Sequence, residues 1–509
     1  MNLLLVVEHG RGRRWMNRLA ERLGGLGATV RLEAVSPQHP ETRGIDLLLQ
    51  LERMVMRRQR AVGAEPIDTA TIAPPADAGF APSLVIDLTA HPAPRAGARV
   101  LAVTWDGHAG EEAAIARLVS GATPLVEVVD FATGEVLERG LASLENASGL
   151  GGAIDSVMAR LVTLLVARVS AIVAGRDRPA PPVIPALPRR PGRDVARLAA
   201  ASLAGSLARM LYRLSCHAPH WRVGWRFVDG PGIAETGDLS GPTFKVVPDP
   251  GHSFFADPFP ITRDGRTFVF VEELDHRVGK GFISAIPFDE TGPCGSSIVA
   301  IEEPWHLSYP FLIEHGGELW MIPESTNAND VALYRCTRFP DRWERAATLI
   351  DGVSLSDATV FEEGGRWWMF GTDHDGEGGW SDVLTIHSAP SLFGPWTAHA
   401  ANPVMVDRTA ARPAGAVFRR DGRLFRPVQD CSDGYGAALA IAEITRLDDE
   451  GYEQVVHHRL APGPRWPGRK FHTLNRIGRL EVIDGSVVRP KWSPLAAIVD
   501  RLSAPGDAA

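Results

Sequence analysis

The sequence predicts an N-terminal doubly wound α/β domain followed by an all-β domain that forms a five-bladed β-propeller. Over residues 1–175, apolar strand-like runs alternate with helical patterns, which is typical of an α/β domain. From about residue 221, a unit with a Gly-centred turn and an aromatic-rich strand recurs about every fifty residues. A period of that length with several short strands per unit is typical of propeller blades.

The strand-like runs of the first 175 residues are separated by two clear helical patterns at 14–23 and 110–119. The strand candidates are 3–7, 29–32, 84–88, 100–104 and 125–130. His9-Gly10-Arg11-Gly12 follows the first strand but lacks the third glycine of a dinucleotide-binding turn, which argues against such a site. The prediction is therefore an open α/β sheet without a dinucleotide.

A Pro- and Arg-rich stretch at 176–193 predicts an interdomain linker, and helical spacing follows over 194–214. Arg197, Arg209 and Arg213 of that helix leave two interpretations open. The helix packs on the flank of the propeller, or it lies on an anionic membrane face. The predicted domains are 1–175 (α/β), 176–220 (linker and helix), 221–495 (propeller) and 496–509 (flexible tail).

The repeats can be registered on one equivalent position in each unit. These positions are Asp257, Tyr309, Asp357, Gly415 and His472, which lie 52, 48, 58 and 57 residues apart. Asp-Gly and Gly-Gly pairs follow within the first four units and predict hairpins. Because the innermost strands of a propeller run beside its central channel, these equivalent residues are expected to converge at one mouth.

Three carboxylates are the candidate catalytic residues. Asp257 and Asp357 hold the same place in repeats one and three, and Glu324 ends the second strand of repeat two. Paired carboxyl groups suit glycosidic-bond chemistry, since one protonates the leaving oxygen while the other activates water or stabilises positive charge on the sugar. The alternative is that acids at strand ends cap turns or pair with arginines.

Polar residues set in otherwise apolar strands are the candidate substrate-binding residues. They are His306, Tyr309, Arg412, Arg426, Gln429, Asp430, Tyr435, His472 and Asn475. Arg412 and Arg426 could hold a phosphate or an acidic sugar. The alternative is that they pair with Asp357 or Asp430.

Asp373-His374-Asp375 spells the Asp-x-Asp pattern with which many nucleotide-sugar transferases hold a divalent metal. A three-residue match is a weak signal, and the pattern belongs to an α/β context rather than a blade end. No metal site is assigned, with Asp373 and Asp375 as weak candidates. A nucleotide-sugar donor and a divalent metal both remain open as cofactors.

The bulk composition excludes several classes of protein. A net charge of −8 and a pI near 6.1 over 509 residues lack the basic footprint of a nucleic-acid protein. Four scattered cysteines do not make a disulfide framework or a zinc knuckle. The N-terminus has no basic region before its apolar run, and the apolar stretch 154–174 is interrupted by Arg160 and Arg168. We expect a cytoplasmic protein, with peripheral membrane contact left open.

Ordered motifs from 256 to about 435 carry a family resemblance, among them ADPF, EPWHLSYPF, SDATVF, WWMFGTD and RPVQDCSDGYG. The stretch resembles the N-terminal propeller domain of plant glucosamine inositolphosphorylceramide transferases and their bacterial relatives. The wider architecture is similar to family 43 glycoside hydrolases. The resemblance to those hydrolases implies a base at Asp257, but Tyr309 and Asp357 stand where they have Asp and Glu. The resemblance implies that the transferase module of the plant proteins is a separate domain, which we do not expect within these 509 residues.

Residues 1–175 resemble a degenerate formyltransferase-like domain, in which Asp106 and His108 are remnants of the catalytic set. The resemblance implies a structural or substrate-presenting domain. The first functional hypothesis is a carbohydrate-active enzyme of polysaccharide or glycolipid biosynthesis that performs glycosyl transfer or glycosidic-bond chemistry at the propeller mouth. The alternatives are a non-catalytic glycan-binding scaffold, a family 43-like hydrolase, or residual one-carbon or acyl transfer by the N-terminal domain.

Overall fold

A computed structural model describes residues 1–37, 45–55, 62–184, 195–375, 378–466, 468–492, 494–496 and 498. The chain forms two compact units. The first, the N-terminal unit, consists of Met1–Leu207 with Gly376–Asp382 and Met405–Asp407. The second, the propeller unit, contains the remaining residues from Ala208 onward.

The N-terminal unit is built on a mixed sheet with helices between its strands. Its strands are β1 (Asn2–Glu8), β2 (Thr29–Val35), β3 (Leu84–Asp87), β4 (Arg99–Trp105), β5 (His108–Ala109), β6 (Leu125–Asp130) and β7 (Val136–Leu141). Its helices are α1 (Arg14–Gly25), α2 (Ile45–Val55), α3 (Glu111–Val119) and α4 (Gly149–Val173), and α5 (Val195–Ser215) begins in it. The sheet order is β2-β1-β3-β4-β6-β7, in which the first four strands are parallel and the last two antiparallel.

The described helices lie on one face of this sheet. Helices α1 to α4 all contribute to a single hydrophobic core, through side chains such as Trp15, Leu48, Ile115 and Leu161. The opposite face is a smaller cluster of strand residues covered by Ala76 and Phe80 of the loop before β3, among others. Strands and helices alternate as predicted, but the described helices pack on one face of a mixed sheet, whereas the predicted doubly wound sheet would have helices on both faces. The alternation of strands and helices does not reveal on which face each connection passes.

Helix α4 is the one described helix that is long and apolar enough to span a membrane, and 78% of its most apolar window is buried. Its two arginines explain how the helix is packed in the N-terminal unit. Arg160 is fully buried and pairs with Asp382 at 2.9 Å, and Arg168 pairs with Glu138 at 2.9 Å. A helix that buries paired charges in this way packs as a core helix of the N-terminal unit.

The propeller unit opens with β8 (Cys216–His217), β9 (Trp221–Phe227), α6 (Ile233–Thr236) and β10 (Lys245–Val246). Four sheets follow in chain order. Blade one contains β11 (Ser253–Arg263), β12 (Arg266–Asp275), β13 (Lys280–Asp289), β14 (Gly292–Pro293) and β15 (Ile298–Ile301). Blade two contains β16 (Ser308–His315), β17 (Glu318–Glu324), β18 (Asp330–Arg338) and β19 (Arg342–Asp351).

Blade three contains β20 (Leu355–Glu363), β21 (Arg366–Asp373), β22 (Val383–Ala389), β23 (Thr397–Ala398) and β24 (Met405–Val406), whose last strand is counted in the N-terminal unit. Blade four contains β25 (Phe418–Arg420), β26 (Arg423–Asp430), β27 (Ala438–Leu447) and β28 (Tyr452–Leu460). The chain ends with β29 (Leu474–Ile477), β30 (Leu480–Ser486) and β31 (Arg489–Pro490).

Blade five closes the ring with strands from both ends of the unit. Its order is β10-β9-β30-β29, with β30 paired to β9 in antiparallel register from Leu480↔Phe227 to Ser486↔Trp221. The predicted five-bladed propeller is confirmed, including the contribution of the strands near residues 222–250. Closure of the ring lets every blade pack against two neighbours, and the radial arrangement leaves only short, protected sheet edges.

The registered positions of the first three repeats share one unusual backbone geometry. Asp257, Tyr309 and Asp357 have φ values of 50°, 43° and 55°, and each lies in a β-bulge of the first strand of its blade. A bulge with a left-handed residue turns one side chain out of the strand's alternation. Gly415 takes the equivalent place in blade four with φ 136°. A Cβ there would lie 2.1 Å from the carbonyl oxygen of Leu474, so this position requires glycine.

Helix α5 confirms the predicted helix near 194–214 and is largely exposed along its described side chains. The division between the two units falls inside it, after Leu207. Most of the predicted Pro- and Arg-rich linker (185–194) and most of the predicted tail (from 499 on) lie outside the described residues.

Candidate functional site

The bulged positions form a hydrogen-bonded ring that links all five blades. The Tyr309 N–H of blade two donates to Asp257 Oδ2 of blade one at 3.2 Å. The Tyr309 hydroxyl lies 2.8 Å from Thr359 Oγ1 of blade three and accepts the Gly415 N–H of blade four at 2.9 Å. Asn475, at blade five, accepts from Ala416 and donates to Pro258 O, both at 2.9 Å. The predicted convergence of the equivalent residues is therefore observed.

Asp257 is buried among groups of the closing blade. Its Oδ1 accepts the Thr473 hydroxyl at 2.9 Å and lies 3.8 Å from His472 Nε2. Its own backbone N–H donates to Asp484 Oδ2 at 2.8 Å. The side chain is 6% exposed. This carboxyl therefore faces a second carboxyl and an imidazole, with little water to screen them.

His472 is held between two carboxylates and two aromatic rings. Its Nδ1 lies 2.6 Å from Asp484 Oδ1, which also accepts the backbone N–H of Thr473 at 2.9 Å. Trp221 stacks on the imidazole at 3.9 Å between ring centroids, and Tyr435 meets it edge-on at 5.4 Å. Gly436 borders the stack with φ 62°, and a Cβ there would lie 2.8 Å from the Trp221 ring. The Asp484 bond fixes the ring with Nε2 directed at Asp257.

Burial and neighbouring charge shift both titrating groups of this pair. Burial raises the pKa of Asp257 to about 7, the adjacent His472 opposes the rise, and Asp484 adds to it. Burial alone would lower the pKa of His472, but the carboxylates of Asp484 and Asp257 outweigh it and leave the pKa raised. The Asp257 carboxyl can therefore gain or lose a proton near neutral pH.

Asp357 has a different set of partners at the same backbone position. Arg412 Nε donates to its Oδ2 at 2.6 Å, and Gln429 Nε2 donates to the same oxygen at 3.1 Å. Its backbone N–H donates to Glu324 Oε2 at 3.0 Å, and Glu324 also lies 3.8 Å from Arg412 Nη2. The Arg412 guanidinium packs over the Tyr435 ring at 4.8 Å. Burial raises the pKa of Asp357 to about 7, the charge of Arg412 opposes the rise, and the charge of Glu324 adds to it.

His306 lies at the edge of the site in a pair with Glu272. Its Nε2 is 3.3 Å from Glu272 Oε1, and its Nδ1 accepts the Gly281 N–H at 3.0 Å. Burial alone would lower the pKa of His306, and the hydrogen bond and charge of Glu272 reverse the shift and raise it. His306 is one third exposed, so it is the most accessible ionisable group of the candidate set that the site brings together.

Two of the predicted substrate-binding residues do not face this site. Arg426 is 2% exposed, donates to the carbonyl oxygens of Ala410 and Ala411, and packs over Phe370. Asp430 pairs with Arg459 and accepts the Ser432 N–H. Arg426 thus bonds to backbone carbonyl groups, and Asp430 pairs with Arg459 rather than with Arg426. The polar residues of a strand alternate between the channel and the space between blades, so the sequence alone does not separate them.

No metal is assigned to the site. The donor atoms of Asp257, His472 and Asp484 lie within 4.8 Å of one another, but Asp484 Oδ1 already accepts backbone N–H groups and pairs with His472. Within the described part of the chain, Asp373 and Asp375 do not join a third such donor. The Asp-x-Asp pattern therefore does not build a metal-binding cluster there.

Sequence reasoning missed Asp484, Thr473, Trp221 and Glu272. In the strand register of blade one, Glu272 lies opposite Ala256, and in blade two Glu324 lies opposite Ser308. Ala256 and Ser308 are each the residue just before the bulge. This shared register is a repeat signal that could have identified Glu272 from its counterpart. Trp221 enters the site on β9, which no repeat motif marks.

Comparison with known proteins places the resemblance in the region that carries the site. Residues 245–483 match the family model described as glucosamine inositolphosphorylceramide transferase 1, N-terminal. The chain is 32% identical over 250 residues to glucosamine inositolphosphorylceramide transferase 1 of Oryza sativa subsp. indica, which covers 46% of this chain and 34% of that protein. The corresponding protein of Arabidopsis thaliana is 32% identical over 207 residues, covering 40% and 27%.

Solved structures with similarity to the chain include two glycoside hydrolases. Zg3597 of Zobellia galactanivorans, a family 117 glycoside hydrolase, is 12% identical with a TM-score of 0.34, covering 48% of this chain and 77% of that one. CoXyl43, a family 43 β-xylosidase/α-arabinofuranosidase from a compost microbial metagenome, is 13% identical with a TM-score of 0.33, covering 47% and 92%. The propeller region is thus similar in sequence to the transferases, and the chain spans about a third of the length of the rice protein.

Proposed function

We propose that the central site of the propeller binds a sugar or glycolipid head group and that Asp257 performs proton transfer there in glycosyl transfer or glycosidic-bond chemistry. The observation that carries the proposal is the Asp257 carboxyl beside the His472–Asp484 pair, with its pKa raised to about 7. A group that titrates near the working pH is suited to give or take a proton. In the protonated form the Asp257 carboxyl can donate its proton to a glycosidic oxygen, and in the ionised form it can accept the proton of an attacking hydroxyl.

The similarity to named transferases supports a glycolipid as the substrate class. The relatives are named for transfer of glucosamine to inositolphosphorylceramide. Asp257, Asp357 and His472 all lie within the residues that match the family model. Polysaccharide or glycolipid biosynthesis is therefore the process in which this site would act, with a nucleotide sugar as the candidate donor.

The partners of Asp357 favour a positioning role for this second carboxylate rather than attack on the sugar. Its oxygens are occupied by Arg412 and Gln429, and Glu324 holds its backbone. These hydrogen bonds hold the Asp357 carboxyl in one orientation and keep the bulge rigid. The fixed position of Asp357 also favours a second function, a glycan-binding scaffold without catalysis. In that function Asp257 would bind the sugar and transfer no proton.

The test compares Asp257→Asn with Asp264→Asn. Both residues have φ near 50°, which Asn tolerates, but Asp264 lies exposed on a hairpin of blade one. Turnover and sugar binding are measured with a panel of nucleotide sugars and glycans. Loss of turnover with binding retained supports catalysis by Asp257, and loss of binding alone supports the scaffold. If Asp257→Asn changes neither binding nor turnover, both proposals are wrong.

For the N-terminal unit we propose a structural or substrate-presenting role as a degenerate formyltransferase-like domain, in a cytoplasmic protein. In support, Asp106 is paired with Arg117 at 2.9 Å, and His108 Nδ1 lies 3.0 Å from the Asp106 carbonyl oxygen. A thermal-shift screen with folates and nucleotides tests this role, because a ligand that binds the folded state raises its melting temperature. Clear stabilisation by either class of compound would contradict it.

A further inference from the structure

An exposed apolar surface is formed by two chain segments of the propeller unit. We call it the α5 patch and define it as Met210, Leu211, Leu214, Trp492, Leu495 and Ile498. These side chains are 52%, 55%, 67%, 68%, 43% and 52% exposed. Met210, Leu211 and Leu214 are spaced i, i+1 and i+4 on α5, which marks one face of a helix. On the C-terminal segment, Leu495 and Ile498 are helical and three residues apart, and Trp492 precedes them in a bend. Six large apolar side chains exposed in so few residues need a partner or an interface.

The two segments are tied together by backbone pairing. Strands β8 and β31 pair in antiparallel register, with Cys216 opposite Pro490. The ladder continues outward, because the Lys491 N–H donates to Ser215 O at 2.9 Å and Lys491 Nζ donates to Arg213 O at 2.7 Å. The end of α5 and the residues after 490 therefore leave the two-stranded sheet side by side. The patch belongs to one structural element although its halves are almost 280 residues apart in the chain.

The charged side chains on the two segments that form the patch are all positive. Arg209, Arg213 and Lys491 are exposed, and neither 195–215 nor 489–498 contains an Asp or Glu. The whole chain has a net charge of −8, so this positive region stands out against an acidic protein. Apolar side chains flanked by arginine and lysine, with a tryptophan among them, match the boundary between lipid head groups and acyl chains.

We propose that the α5 patch docks the protein on an anionic phospholipid surface. Its apolar side chains enter the boundary region while Arg209, Arg213 and Lys491 contact the head groups. A second copy of this chain fits less well, because a symmetric dimer would bring the same positive residues against each other. The inference goes beyond the proposed sugar chemistry and does not depend on it, since lipid binding is measured without any sugar.

The experiment is flotation of the full chain with phosphatidylcholine vesicles, with and without phosphatidylserine. The wild-type protein should float with the anionic vesicles at low salt and be released as salt is raised, because screening weakens the head-group contacts. Leu214→Glu keeps a good helix former but puts a carboxylate into the patch, and should lower the vesicle partition coefficient by roughly tenfold or more. Val278→Glu is the matched control, since Val278 is 71% exposed on blade one, and should bind like wild type.

A second measurement reports on Trp492 directly. Brominated lipids should quench part of the wild-type fluorescence, and Trp492→Phe should lose that quenching while still floating with the vesicles. Absence of vesicle binding by a folded wild-type protein would overturn the proposal, as would equal loss of binding in Leu214→Glu and Val278→Glu. The proposal would also be overturned if the wild-type protein were a dimer, and Leu214→Glu made it a monomer without changing vesicle binding. The patch would then bind a second copy of the chain.

Discussion

Asp257 and Asp357 occupy the same bulge in blades one and three but differ in the cation beside them. Asp357 meets Arg412, whose charge is permanent and whose guanidinium bonds it directly. Asp257 meets His472 at 3.8 Å, whose charge depends on pH and on Asp484. One backbone geometry therefore supports a carboxylate paired with a permanent cation in one blade and a carboxylate beside a titrating imidazole in another, and burial raises the pKa of both to about 7. Repetition of the fold sets where each side chain points, and the neighbouring blade decides which cation it meets.

The largest effect is expected from Arg412→Leu. The change leaves Asp357 buried without its counter-charge, which should lower the free energy of unfolding by about 3–5 kcal/mol at neutral pH. Arg335→Leu is the control, since Arg335 pairs with Glu318 at the surface with both side chains at least 40% exposed, and should cost at most about 1 kcal/mol. Urea unfolding of both variants measures the difference. Equal costs would mean that Asp357 does not depend on a fixed cation.

The next effect is the pH dependence of stability contributed by Asp257. Because its pKa in the folded protein is raised from 3.8 to about 7, the folded state binds a proton that the unfolded state has released between these pH values. The stabilisation of wild type relative to Asp257→Asn is therefore greatest at low pH and lost as pH rises toward 7, by up to about 1.4 kcal/mol per pH unit. The raised pKa of His472 acts in the same direction.

Unfolding free energies measured at intervals from pH 4 to pH 8 test this slope. Asp264→Asn should differ from wild type by a nearly constant amount over the range, because Asp264 is exposed. A flat difference for Asp257→Asn as well would show that Asp257 stays ionised, as a salt-bridged carboxylate does.

A smaller loss is expected from Tyr309→Phe, which removes the hydroxyl that connects blades two, three and four. The change leaves the buried Gly415 N–H without its acceptor and should cost about 1–3 kcal/mol. Thermal unfolding measures the cost. Tyr334→Phe removes the hydroxyl that donates to Glu303 and serves as the comparison. It should cost less, because the partly exposed Glu303 carboxylate can accept a hydrogen bond from water instead. Equal costs would argue against a central hydrogen-bonded ring.

The smallest effect is expected at His306, at the edge of the site. His306→Gln removes a partly exposed pair with Glu272 and should cost well under 1 kcal/mol. Since the pKa of His306 is raised, its contribution is present at low pH and is lost as pH rises through the folded pKa. NMR titration of the imidazole checks the direction of the shift. A lowered pKa would mean that burial outweighs Glu272.

The sequence predicted the repeats well because each blade repeats the same local chemistry. Registration on the Gly-centred turns placed Asp257, Tyr309 and Asp357 together, and the structure gives all three the same left-handed bulge. The structure also places Arg412 beside Asp357. This contact matches the alternative prediction, in which Arg412 pairs with a carboxylate of the protein. Such positions can be predicted from the sequence because turn residues and strand alternation depend only on residues that are close together in the chain.

The partners of Asp257 could not be predicted in the same way. Asp484 and Trp221 reach the site on β30 and β9, which pair with each other across the whole length of the propeller sequence. No local pattern records which distant strand becomes the neighbour of another. The N-terminal sheet shows the same limit, because the order of strands and helices was legible while the face on which each helix packs was not.

Closure of the ring by β9 and β30 also determines when the site comes into existence. The bond from Asp257 N–H to Asp484 spans 227 residues, so the chain must complete its last blade before His472 and Asp257 meet. Contacts of such large sequence separation form late, because the entropy of closing the loop must be overcome first. A nascent chain with four blades formed has an open edge and no histidine beside Asp257. Function at this site, whatever its substrate, would thus begin only when the whole propeller has folded.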